Sequence, residues 1–155
     1  MSDQIKTVSD QEHRQWERAN SQDPLIQVLA NLLEGMSSKN QIELGVTLST
    51  GGMLVSGDLI SAQRYFEQLG QQYSESFKAI STLAADFSSR IKERTEAGSQ
   101  KEPYLPNFVH LMNARFYVPG NQPPLPSGTK DGVLWRGRIS AIDGLTLGSI
   151  TTTPG

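Results

Sequence analysis

The sequence predicts an α+β domain: a small, partly open five-stranded β-barrel with an N-terminal helix and a long helical insertion. Three patterns carry that prediction. Ile42, Leu44, Val46 and Leu48 alternate with Glu43, Gly45, Thr47 and Ser49, the period of a half-buried strand. Leu25, Val28, Leu29, Leu32, Leu33 and Met36 recur at helical spacing as one apolar stripe. From Phe66 to Ile91, apolar and aromatic residues return in steps of three and four.

Asp23-Pro24 opens the first helix, with a side-chain acceptor at the cap and a proline in the first turn, where its missing N–H costs nothing. The strand from Ile42 ends at Gly51-Gly52, a dipeptide that accepts the positive φ angles of a tight hairpin. Met53 to Ser61 returns beside it, and Gly57 marks a bulge or sharp bend. Residues 62–94 read as the helical insert. Unbroken, it would reach roughly 50 Å, more than a small barrel spans, so a break near Gly70 or an overhanging end is expected. Residues 95–103 form a linker, and Phe108 to Val118 a third strand. The proline-rich residues 119–132 form an extended loop that cannot pair in a sheet. Val133–Ile142 and Leu145–Ile150 then make a final hairpin around Asp143-Gly144. The order is reminiscent of Sm-like domains with a helical insert after the second strand, an analogy of fold alone. One domain over 23–150 is expected, between a polar leader, residues 1–22, and a frayed tail, residues 151–155.

Composition narrows the function. Apolar residues make up 36% and charged residues 19%, with a net charge of −2, so the cationic excess that bulk nucleic-acid binding requires is missing. The absence of cysteine excludes disulfides, thiolate metal sites and thiol nucleophiles. Neither a secretory signal nor a membrane span is legible, so a cytoplasmic protein without membrane contact is expected.

No catalytic set is expected. His13 and His110 are the only histidines, far apart, and His110 alternates with Phe108 and Met112 as a partly buried structural imidazole would. Serine elbows, paired carboxylates, metal-ligand spacings and phosphate-binding glycine loops are all missing, so neither metal nor cofactor is expected. Arg136 and Arg138 share one strand face, and Arg115 would join them if the third and fourth strands pair. A solvated face with salt bridges is the plainer reading and a charged docking patch the sharper one. Trp135 points the other way, into the core. Phe66, Leu69, Tyr73, Phe77, Ile80, Ala84 and Phe87 form a near-heptad seam, which serves either to pack the insert on the barrel or to join another copy.

Leu134-Trp135-Arg136-Gly137-Arg138-Ile139-Ser140, running on through Asp143-Gly144 to Leu145-Thr146-Leu147-Gly148, carries a resemblance. Together with Gly52-Met53-Leu54-Val55-Ser56-Gly57-Asp58-Leu59-Ile60-Ser61 and Asn113-Ala114-Arg115-Phe116, it resembles the gas vesicle accessory proteins of the U type over roughly residues 25–150. The resemblance implies a non-enzymatic cytoplasmic protein associated with gas vesicles, the gas-filled protein shells that give buoyancy. Such a protein influences vesicle assembly or gathers vesicles into clusters by self-association and adhesion. Its partners would be shell or other gas vesicle proteins and further copies of itself. The competing reading is an Sm-like module for RNA, or a ring-forming scaffold, using Arg115, Arg136 and Arg138 on phosphates.

Overall fold

The computed structural model describes residues 22–36, 42–96, 106–120 and 123–150. The expected leader up to residue 21, most of the expected linker and the tail from residue 151 lie outside the described residues. Asp23 caps helix α1 (Pro24–Met36) by accepting the Leu25 N–H at 2.9 Å. The face that α1 buries differs from the expected stripe. Ile26, Gln27, Ala30 and Leu33 turn inward, while Leu25, Val28, Leu32 and Met36 face outward. The helix is apolar on two arcs, and periodicity alone could not say which one meets the sheet.

Strands β1 (Leu44–Thr50) and β2 (Met53–Ile60) pair antiparallel through Gly51 and Gly52, whose φ angles of 58° and 81° are those of the predicted tight turn. Gly57 sits where the register of β2 against β3 (Phe108–Tyr117) shifts. A Cβ there would stand 2.9 Å from the Met112 carbonyl oxygen, so glycine is required by close backbone approach. Strands β4 (Val133–Arg138) and β5 (Gly144–Leu147) complete a sheet of five strands, ordered β4-β3-β2-β1-β5.

That order corrects the expected final hairpin. β4 pairs with β3 and β5 with β1, at opposite edges. Between them lies a 3₁₀ turn, Ile139–Ala141, anchored by the buried Ile139. The Ile139 N–H donates to the Asn107 carbonyl at 2.9 Å, and the Asp143 N–H donates to the Ser49 carbonyl at 2.8 Å. Asp143-Gly144 therefore starts the pairing with β1. Gly144 is not among the glycines of positive φ, as a tight two-residue turn would demand. A link this short between the two edges requires the sheet to curl, yet no ladder joins β4 to β5 and the sheet is open.

The helical insert breaks near Gly70, as expected, into two helices. α2 (Ala62–Gln72) and α3 (Lys78–Glu96) are separated by a turn over Tyr73–Phe77, three residues past Gly70. They fold back as a hairpin: Phe66 stacks on Phe87, and a Cβ at Gly70 would touch the Ala84 Cβ at 3.6 Å. The near-heptad seam is thus divided between two antiparallel helices.

One sheet face carries the core, where Val46, Leu48, Val55, Leu59, Val109, Leu111, Ala114 and Ile139 pack against Ile26, Ala30 and Leu33 of α1. Trp135 packs against this core from the edge, as expected. Its indole lies over Gly137, where a Cβ would overlap the ring. The proline loop is not wholly unpaired as expected, since Leu125 bridges to Phe116. Arg115 spans the loop by donating to the carbonyls of Pro126, Thr129 and Lys130 at 2.7–2.9 Å. No helix among the described residues is long and apolar enough to cross a membrane.

Candidate functional site

Strand alternation splits β3. Val109 and Leu111 enter the core, whereas Phe108, His110 and Met112 face α2. β4 lies beside them with Arg136 opposite His110 and Arg138 opposite Phe108. α2 is aimed at this face by its N-cap: Ser61 Oγ accepts the Arg64 N–H at 3.1 Å. Glu34 of α1 reinforces that end by accepting the Ala62 N–H, and burial holds its carboxyl above the usual carboxylate range. Tyr65 and Phe66 are thereby laid over β3 and β4.

The result is an arginine seated on aromatic rings. The Arg136 guanidinium carbon is 3.8 Å from the centroid of Phe108 and 5.8 Å from that of Phe66. Phe66 in turn stacks on Phe87 at 5.0 Å and meets Tyr65 edge-on at 5.1 Å. Arg136 and Arg138 are both exposed, and neither has a carboxylate partner among the described residues. A guanidinium seated over a ring and without a carboxylate partner has N–H donors left for a carboxylate or phosphate.

His110 lies under the cluster, only 6% exposed, its ring 4.8 Å from Tyr65 and 5.9 Å from Phe66. Its Nε2 has no hydrogen-bond partner among the described residues. Burial, with the Arg136 guanidinium adding to it, lowers its pKa to about 3, so the imidazole is neutral near pH 7. Burial also raises the Tyr65 phenol. No group of three or more histidines and carboxylates that could hold a metal occurs among the described residues.

The other expected residues are dispersed. Arg115 pairs with Ser56 rather than with β4, and lies five residues along β3 from His110, across the bulge between Leu111 and Ala114. Its guanidinium is occupied by loop carbonyls, so the three arginines do not form one patch. Of the seam, Phe66 and Ala84 are buried, Leu69, Tyr73 and Ile80 are partly covered, and Phe77 and Phe87 remain exposed. Sequence reasoning missed the cradle formed by Phe108, Tyr65 and Phe66. The signal was the alternation of Phe108 and His110, which a correct β3–β4 register places opposite Arg138 and Arg136.

No curated protein and no solved structure matched the chain. A family model did, that of the GvpU-like gas vesicle proteins, over residues 23–150, which include every described strand and helix. The chain belongs to the GvpU-like family of gas vesicle proteins.

Proposed function

We propose that this protein is a non-enzymatic accessory factor of gas vesicles in the cytoplasm, one that influences assembly or gathers vesicles by adhesion and self-association. Family membership supports the link to vesicles. The observation that carries adhesion is Arg136, exposed, without a carboxylate partner among the described residues and held on Phe108 at 3.8 Å, with Arg138 on the same strand face. Such a pair recognises carboxylates on a shell or other vesicle protein. Each contact of this kind is weak, on the order of 1 kcal/mol or less at an exposed rim. Clustering therefore needs several copies acting together, which self-association supplies. The strand order and the short link between the outer strands support reading the sheet as a partly open, Sm-like barrel.

Replacing both arginines, Arg136→Gln with Arg138→Gln, and imaging vesicles in cells tests this reading. The variant is expected to melt like the wild type and to leave vesicles dispersed. Normal clustering in the folded double variant would reject the arginine face. Tight RNA binding by the wild type would promote the nucleic-acid module instead.

A further inference from the structure

We infer that the outward face of α1 is a docking surface for the same face of a second copy of this chain. The inference rests on the self-association part of the proposed function and assigns it to a surface outside the α2–α3 seam. Leu25, Val28, Leu32 and Met36 are 56%, 57%, 55% and 43% exposed. Their spacing of three, four and four residues aligns them on one stripe about 16 Å long. The adjoining arc of the helix is spent in the core through Ile26, Ala30 and Leu33. A helix apolar on both arcs is normally buried on both, and a contiguous apolar stripe on a soluble surface marks a contact.

Charge selects the occupant. Between Pro24 and Met36 the only ionisable residue is Glu34, and its carboxylate is turned to the start of α2. The stripe therefore offers nothing to a partner recognised by charge, and two copies of it meet without repulsion. A single stripe facing its own copy around a two-fold axis is self-complementary, with Leu25 of each helix running toward the Met36 end of the other. Gly35 lies along this edge with open space where a Cβ would be, so the second helix approaches without obstruction. Area sets the strength. Four half-exposed side chains fall short of the roughly 800 Å² that each partner gives a standard interface. The contact is consequently transient and concentration-dependent, and it becomes effective when many copies are held on one vesicle.

The chain contains no cysteine, so a single introduced one reports on this face without interference. Leu32→Cys in the full-length protein should form disulfide-linked dimers under mild oxidation, whereas Lys92→Cys on the exposed side of α3 should not. Sedimentation velocity across a concentration series should show association of the wild type that persists at high salt. Val28→Glu with Leu32→Glu should weaken that association at least about tenfold, equivalent to roughly 1.4 kcal/mol, with an unchanged melting temperature. A wild type that stays monomeric at every concentration would overturn both this inference and the self-association reading. Equal association of the wild type and the double glutamate variant would overturn the α1 face alone. Leu32→Cys that associates as the wild type does yet forms no disulfide would likewise show that the copies meet somewhere other than this stripe.

Discussion

An arginine on an exposed strand gives up about 2 kcal/mol of side-chain entropy when it is fixed in one orientation. At Arg136 the ring of Phe108 has already met part of that cost, because the guanidinium rests on it at 3.8 Å in the free protein. Arg136→Lys keeps the charge and loses both the guanidinium over the ring and its fork of donors. Binding of the variant to purified vesicles is expected to fall severalfold, and undiminished binding would mean that charge alone suffices. His110, beneath, is held neutral by burial and by Arg136, with Tyr65 the other titratable group against it. Between about pH 3 and pH 6.5 the unfolded chain binds a proton at His110 that the folded chain refuses, so stability falls as pH drops through that window. Relative to His110→Phe, the wild type should lose on the order of 2–4 kcal/mol by pH 4 in denaturant titrations. The raised carboxyls of Glu34 and Asp58 act in the opposite sense but are common to both proteins. A pH-independent difference would contradict the burial of a neutral imidazole. His110→Gln, if folded, should leave vesicle clustering intact, because nothing in the proposed contact uses the ring's proton.

At the scale of elements, legibility followed the directness of each signal. Gly51-Gly52 announced its turn because positive φ at two successive residues leaves few other choices. Asp143-Gly144 misled, since the same dipeptide also serves at the start of a strand. The deciding features there, the burial of Ile139 and its bond to Asn107, are long-range and leave no local trace. The insert's periodicity fixed its helicity but not its fold-back, which depends on the packing of Gly70 on Ala84 and of Phe66 on Phe87. Glu34, which ties α1 to the start of α2, was invisible because its partner is a backbone N–H 28 residues away. Glu34→Ala leaves that N–H without its acceptor and should cost about 1–2 kcal/mol in chemical denaturation. Glu34→Gln keeps an acceptor and should cost less; a Glu34→Ala variant as stable as the wild type would mean that the bond contributes nothing.

At the scale of the molecule, two surfaces of different physics emerge. The β4 face carries exposed arginines and the α1 face carries none of the chain's charge. Salt separates them: screening weakens contacts of the first kind within a Debye length of about 8 Å at physiological ionic strength, while apolar contacts persist. The family could be read from short motifs in β2, β3 and β4–β5, whereas the pairing of Arg136 with Phe108 required the register of two strands. Arg115 shows the limit of the sequence: the same residue type serves to hold a loop, and only its three carbonyl acceptors reveal it. Adhesion of the arginine face to the vesicle is tested by flotation of purified gas vesicles with added protein, because buoyancy separates bound from free protein without a label. The wild type should rise with the vesicles at low ionic strength and be released progressively as salt is added, and Arg136→Gln with Arg138→Gln should remain in the subnatant throughout. A folded double variant that floats as the wild type does, with the same salt dependence, would contradict it.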